Sequence, residues 1–134
     1  MTARVLVVDD EPAIRHAVSR LFRREGWNVV TAATAGEAIA ALETAPVHGV
    51  LLDYHLPGMS GADLGAEIVQ RWPLLAGRLV FVSGDPQLTV EAFPAACQGA
   101  RLMPKPFDLL ELTAVMRGVL DTPPDRSQSA GTLA

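Results

Sequence analysis

Side chains that could carry out chemistry follow four short apolar runs of the sequence. Asp9 and Asp10 follow the first run, and the other three runs are followed by Asp53, Ser83 and Lys105. A carboxylate in such a place can serve as a nucleophile, a metal ligand or a helix cap. A lysine and a hydroxyl can offer a point charge and a hydrogen-bond donor to an anion, most naturally a phosphoryl group.

The apolar runs that precede these residues predict the strands of a parallel sheet. The runs at 5–8, 50–52 and 79–82 have no polar alternation, so both faces of these strands should be covered. The mixed run at 27–31 predicts an edge strand, and a short fifth strand is predicted at 101–104. Because helical segments alternate with these runs, we expect an α/β fold with helices on both faces of the sheet.

Helix signals stand between the predicted strands. A proline suited to a first turn and three side-chain capping pairs mark four helix starts, at Pro12, Thr34–Glu37, Ser60–Asp63 and Asp108–Glu111. The segment 87–99 also favours a helix, but Pro94 removes a backbone donor and should kink or split it.

The carboxyl ends of parallel strands lie at one edge of a sheet, so the polar residues that follow them should meet. If the first and third strands are neighbours, Asp9, Asp10 and Asp53 form a cluster. Like charges this close raise one another's pKa unless a cation joins them. An all-oxygen pocket suits a hard ion such as Mg²⁺, so the pattern predicts a magnesium site beside an anion site.

Composition restricts the class of protein. The 134 residues suffice for one domain with a real core, and 49% of them are hydrophobic, which excludes a disordered chain. No apolar run approaches the roughly 20 residues of a membrane span. Cys97 is the single cysteine, so no internal disulfide forms, and a net charge of −4 without a basic cluster argues against nucleic-acid binding. We expect a cytoplasmic domain without membrane or nucleic-acid partners.

Four motifs together resemble the receiver domain of two-component response regulators. They are Val7-Val8-Asp9-Asp10-Glu11, Leu52-Asp53-Tyr54-His55-Leu56-Pro57-Gly58-Met59-Ser60-Gly61, Val82-Ser83-Gly84-Asp85 and Lys105-Pro106-Phe107. The resemblance implies a flavodoxin-like (βα)5 fold, a doubly wound five-stranded parallel sheet in the order 2-1-3-4-5. We assign residues 1–120 to the receiver domain and expect residues 121–134, rich in Pro, Ser and Gly, to be a flexible C-terminal tail.

The resemblance implies an acceptor and a set of metal ligands. Asp53 would be the phosphoacceptor, a carboxylate that takes a phosphoryl group from a kinase histidine. Asp10 and Asp53 would bind Mg²⁺ directly and Asp9 through water. The main-chain carbonyl of His55 matches a further ligand of the family.

Lys105 and Ser83 complete the implied site. Lys105, together with Mg²⁺, would neutralise the charge that develops on the transferring oxygens. Ser83 would turn to hold the bound phosphoryl group. The peptide bond between Lys105 and Pro106 matches a position where the family usually has a cis bond.

A receiver is a signalling module, with no enzymatic activity beyond its own phosphorylation and dephosphorylation. The implied partners are a sensor histidine kinase or phosphotransfer protein and an unknown downstream protein, and a phosphorylation-dependent homodimer is compatible with the family. Because residues 121–134 are too few to build a DNA-binding domain, we expect output by protein contact. The chain could be free-standing or excised from a hybrid histidine kinase or a larger regulator.

Two positions depart from the commoner family pattern. Leu102 stands where many receivers carry an aromatic residue that turns inward on phosphorylation. His55 stands two residues after the acceptor, at a position that in the family tunes the hydrolysis of the aspartyl phosphate. We expect phosphorylation to survive both changes and place the switching surface at Leu102, Ala92, Phe93 and the face of the last helix.

Two other functions fit part of the pattern. A Mg²⁺-dependent phosphohydrolase of the haloacid-dehalogenase type also uses a strand-end aspartate and a lysine. That class usually has a second aspartate two residues later, where this chain has His55. A degenerate receiver that binds a partner without phosphorylation fits less well, because every chemical residue is present. Taken singly, the acids at 9–11 also suit a helix N-terminus, and Lys105 a surface position.

Overall fold

A parallel sheet of five strands forms the centre of the computed structural model, which describes residues 2–121. In chain order the strands are β1 (Arg4–Val8), β2 (Asn28–Ala32), β3 (Gly49–Asp53), β4 (Leu79–Ser83) and β5 (Arg101–Pro104). Every neighbouring pair is parallel and the spatial order is β2-β1-β3-β4-β5, which confirms the predicted fold class and strand order. The expected flexible tail lies outside the described residues, except Asp121.

Four α-helices connect or follow these strands: α1 (Pro12–Arg24), α2 (Ala35–Thr44), α3 (Gly61–Arg71) and α4 (Leu109–Asp121). Three of them begin at the predicted caps. The hydroxyls of Thr34 and Ser60 accept hydrogen bonds from N–H groups three residues later, and Asp108 Oδ1 accepts two from the first turn of α4. These bonds satisfy N–H groups that a helix start leaves without an intrahelical partner.

The sheet is covered on both faces by two separate apolar cores. Alternate residues of a strand point to opposite faces, so Val5 and Val7 join one core while Leu6 and Val8 join the other. One core packs below α1 and α4, the second below α2 and α3. β3 and β4 are buried along their whole length, whereas β2 is partly exposed, as expected of an edge strand.

The fourth crossover, residues 84–100 between β4 and β5, departs from the (βα)5 pattern. In place of a helix it contains two 3₁₀ turns, Val90–Ala92 and Ala95–Cys97. Pro94 lies between the turns and cannot donate the backbone hydrogen bond that a continuous helix needs. Phe93, 3% exposed, packs on Phe81 of β4, and Cys97, 1% exposed, packs on α3, where its Sγ donates to the Ala62 carbonyl at 3.6 Å.

Across residues 2–121 we find no helix with the length and apolar character that crossing a membrane requires.

Candidate functional site

The predicted site residues meet at the carboxyl-terminal edge of the sheet because the strands are in register. Val8 pairs with Leu52, so Asp9 follows β1 beside Asp53 at the end of β3. Asp53 pairs with Val82, which places Ser83 next along β4. Asp9, Asp53 and Ser83 are each at most 3% exposed, although apolar residues dominate such burial elsewhere in the chain. Buried polar groups of this kind require partners.

Three carboxylates form an acidic cluster, consisting of Asp9, Asp10 and Asp53. One oxygen of each lies within 4.8 Å of the others. The main chain orients the two buried members: the Glu11 N–H donates to Asp9 Oδ1 at 2.9 Å, and the His55 N–H donates to Asp53 Oδ1 at 3.1 Å. Each buried carboxylate therefore keeps its second oxygen for other partners.

Lys105, the only lysine in the chain, supplies that partner. Its Nζ lies 3.0 Å from Asp9 Oδ2 and 3.3 Å from Asp53 Oδ2, and 3.6 Å from Glu11 Oε1. The Lys105 N–H donates to the Ser83 carbonyl at 2.8 Å, which ties the loop after β5 to the end of β4. The Lys105–Pro106 peptide bond is cis, as the resemblance implies.

Burial and the charges of neighbouring groups shift two pKa values at the site. Burial raises the pKa of Asp53, and the Asp9 charge raises it further, while the His55 N–H and Lys105 act in the opposite direction. Burial alone would lower the pKa of Lys105, but hydrogen bonds and charges from Asp9 and Asp53 outweigh burial and raise it. Three carboxylates share one ammonium group, so a further cation would relieve their repulsion.

Ser83 and His55 contact each other through their side chains. His55 Nε2 lies 3.3 Å from Ser83 Oγ, and Oγ also accepts a 3.0 Å hydrogen bond from the Asp85 N–H. The predicted role of the His55 main-chain carbonyl as a metal ligand stays a prediction. Its N–H is already part of the site through the bond to Asp53.

Gly61 allows the start of α3 to approach the acceptor strand. The Gly61 N–H donates to the Tyr54 carbonyl at 2.6 Å. A Cβ atom on residue 61 would lie 2.2 Å from the Asp53 carbonyl oxygen, well inside any contact that real Cβ atoms make. A side chain at this position would therefore displace the main chain of Asp53 itself.

Two contacts of the site were missed by reasoning from the sequence. Glu11 reaches Lys105, and Arg15 Nη1 donates to the Asp9 carbonyl at 2.7 Å. The acidic run at 9–11 was a signal for the first contact. For Arg15, one turn into α1, no sequence signal indicated the contact with Asp9.

The predicted switching surface is only partly exposed. Ala92 is exposed, Leu102 is half-buried, and Leu109 and Leu110 of α4 are 41% and 79% exposed. Phe93 was wrongly placed on this surface. Its ring is buried because it stacks on Tyr54, with centroids 5.4 Å apart, and meets Phe81 edge to face at 4.8 Å.

A family model described as response regulator receiver domain matches residues 5–117. The probable transcriptional regulatory protein TcrX of Mycobacterium tuberculosis is 35% identical over 116 residues, which are 87% of this chain and 49% of that protein. The chain thus spans about half the length of this curated relative.

Solved structures agree with the fold. The CheY-like receiver domain protein of Methanospirillum hungatei has a TM-score of 0.79 and 31% identity, covering 90% of this chain and 95% of that one. The response regulator TrrA of Thermotoga maritima, solved in complex with Mg²⁺-BeF, has a TM-score of 0.76 and 26% identity, covering 89% and 100%.

Proposed function

The chain belongs to the response-regulator receiver family of two-component systems, and from that membership we propose that Asp53 is its phosphoacceptor. The observation that carries the proposal is the buried Asp53 carboxylate, which ends β3 with Lys105 Nζ 3.3 Å from one of its oxygens. Asp53 pairs with Val82 of β4, and Ser83 is the next residue along that strand. A nucleophile, a fixed cation and a hydroxyl donor can each serve phosphoryl transfer to a carboxylate, together with a metal ion.

The acidic cluster fits a magnesium ion. Its donors are all carboxylate oxygens, and their charge exceeds that of Lys105, so a hard divalent cation would compensate it. Asp10 and Asp53 would bind the ion directly, Asp9 through water, and the His55 carbonyl is a further proposed ligand. When bound, Mg²⁺ supplies positive charge next to the transferring phosphoryl oxygens.

Asp53, Lys105 and Ser83 have separate roles in the transfer of the phosphoryl group. An oxygen of Asp53 forms a bond to phosphorus as the bond to the donor's histidine nitrogen breaks, and the electron pair of that bond remains on the nitrogen. Lys105, already 3.0 Å from Asp9, stays between the two carboxylates and neutralises charge on the phosphoryl oxygens. Ser83 offers its hydroxyl to one of those oxygens.

The partners follow from this chemistry. A receiver of this kind takes its phosphoryl group from a sensor histidine kinase or phosphotransfer protein, and we propose that it acts on a downstream protein. The relative named above is described as a probable transcriptional regulatory protein, and the match covers 49% of its length. We therefore restrict the expectation of no nucleic-acid contact to the residues described here, and keep excision from a larger regulator as the alternative architecture.

Phosphorylation with acetyl phosphate tests the proposed function. We expect Mg²⁺-dependent label at Asp53 that is lost in Asp53→Asn and kept in Asp63→Asn, a control whose carboxylate is exposed on α3. Removal of Mg²⁺ with a chelator should abolish the label. Label at another residue would overturn the assignment, and sustained turnover of phosphate esters would favour a phosphohydrolase.

A further inference from the structure

The imidazole of His55 contacts the Ser83 hydroxyl, which a phosphoryl group on Asp53 would need as a hydrogen-bond donor. Ser83 Oγ accepts the Asp85 N–H at 3.0 Å and lies 3.3 Å from His55 Nε2. A serine hydroxyl has one proton to donate and two lone pairs. Because Asp85 uses one lone pair, the ring takes the proton or the second lone pair. In either case, turning the hydroxyl toward an oxygen on Asp53 changes its contact with the ring.

His55 also begins a series of ring contacts that leads away from the site. Its ring meets Tyr54 edge to face, with centroids 5.0 Å apart and planes at 80°. Tyr54 stacks on Phe93 at 5.4 Å and 22°. Aromatic rings at these separations hold each other in preferred orientations, so a change in one ring constrains the next.

The series ends in the fourth crossover, at the residue that attaches this segment to the sheet. Phe93 lies between the two 3₁₀ turns and is 3% exposed, packed edge to face on Phe81 of β4. Short 3₁₀ turns resist displacement less than a continuous helix does. A shift of the Phe93 ring would therefore move the turns on either side of it.

Leu102 cannot make the ring contacts that connect the site to the fourth crossover. Leu102 of β5 is half-buried and has neither a ring nor a hydroxyl, and it packs with the apolar core on the α2 and α3 side of the sheet. The Tyr54–Phe93 pair is the aromatic contact that joins the loop after the acceptor to the fourth crossover.

We propose that His55 is a positioning residue that links Ser83 to the Tyr54–Phe93 ring pair, so that phosphorylation of Asp53 is transmitted to the fourth crossover. The inference rests on the proposed phosphorylation of Asp53. Before phosphorylation, His55 holds the Ser83 hydroxyl and the Tyr54 ring together. After it, the hydroxyl turns to the phosphoryl group and releases the ring, and Phe93 moves with Tyr54.

Fluorine NMR can follow this contact path, because Tyr54 is the only tyrosine in the chain. Protein made with 3-fluorotyrosine gives one resonance, which is compared before and after acetyl phosphate and Mg²⁺. Hydrogen exchange across residues 88–98 is measured on the same samples, with label at Asp53 as the check of phosphorylation.

We expect the wild-type resonance to shift on phosphorylation, and exchange across 88–98 to change by about two- to tenfold, the factor that one hydrogen bond corresponds to. In His55→Leu, both responses, measured per unit of label at Asp53, should disappear. In His55→Gln, whose amide can bond Ser83 but offers no ring to Tyr54, both responses should stay absent. His16→Leu on the exposed side of α1 is the matched control and should behave as wild type. Full responses in His55→Leu, or a labelled wild type without them, would overturn the proposal.

A double-mutant cycle in the unphosphorylated protein separates this proposal from the proposed function. Ser83→Ala should shift the Tyr54 resonance in the wild type but not in the His55→Leu background, because the contact that carries the change is gone. Equal shifts in both backgrounds would refute the role of His55 whatever the labelling shows. Absence of label in the wild type would instead refute the phosphoacceptor role of Asp53.

Discussion

Lys105 Nζ lies 3.0 Å from Asp9 Oδ2 and almost as close to Asp53, so one ammonium group serves two buried carboxylates. The remaining oxygen of each carboxylate accepts a hydrogen bond from a main-chain N–H. Because a single positive charge cannot satisfy both acids, the unmodified site retains repulsion that folding must overcome. This repulsion should be measurable as a lower free energy of unfolding.

The first prediction concerns this loss of stability. The pKa of Asp53 is raised by burial, so the folded state binds the proton more tightly than the unfolded state. Stability contributed by this group is therefore present at low pH and lost as pH rises through its folded pKa. Asp53→Asn should raise the free energy of unfolding at pH 7 by about 0.5 to 2 kcal/mol.

Urea denaturation checks this expectation. The gain should shrink as pH falls below the ordinary pKa of an aspartate, where both states hold the proton. Glu67→Gln, which removes an exposed carboxylate from α3, should have little effect at either pH. A variant less stable than the wild type at pH 7 would contradict the prediction.

The second prediction concerns magnesium. An ion that binds only the folded state stabilises it by an amount that grows with concentration, about 2.7 kcal/mol at 100 times Kd. Thermal unfolding should therefore shift upward as Mg²⁺ is added. Asp10→Asn should abolish most of this shift, because it removes one of the three clustered oxygens. Glu67→Gln should leave the shift unchanged, and a full shift in Asp10→Asn would exclude this site.

The third prediction tests the close approach at Gly61. In Gly61→Ala the new methyl group meets the Asp53 carbonyl, and overpacking of this kind costs about 1 to 3 kcal/mol. Acceptor labelling should slow as the Asp53 main chain moves. Gly118→Ala in α4 is the matched control, because a Cβ there meets nothing within 4 Å and alanine favours helix by about 1 kcal/mol. Destabilisation by both substitutions would point to a general sensitivity to alanine.

The fourth prediction concerns the reactivity of the Cys97 thiol. Burial raises the pKa of its thiol, and the charge of Asp63 adds to the effect. Since the thiolate is the reactive form, the native protein should react with a disulfide reagent about a hundredfold more slowly than the protein in urea. Reaction requires opening of the fourth crossover, where Cys97 lies at 1% exposure. Equal rates in both conditions would mean that the segment does not protect the thiol.

Most of the fold could be predicted, because the local signals agree with the tertiary structure. Uninterrupted apolar runs became the buried strands β1, β3 and β4, and the capping residues Thr34 and Ser60 begin α2 and α3. The strand order came from the resemblance, and register then brought the strand-end residues together. The functional roles of those residues are still predictions, which the experiments above address.

Other features depend on contacts that no local pattern specifies. The proline in the fourth crossover predicted a broken helix, but the two 3₁₀ turns depend on where Phe93 packs. The contact between His55 and Ser83 joins residues 28 positions apart through side-chain orientations that periodicity does not describe. Glu11 could be seen as acidic, yet only the folded loop shows that it reaches Lys105.

The missing helix in the fourth crossover has a consequence for discrimination among signalling proteins. A partner that recognises a regular helix reads side chains spaced three and four residues apart along one face. Residues 90–97 present no such face, so a partner that recognises a regular helix should fail to bind this segment. A partner shaped to the irregular turns should bind related receivers less well. In a cell with many related regulators, an irregular segment of this kind would reduce binding to the partners of the other regulators.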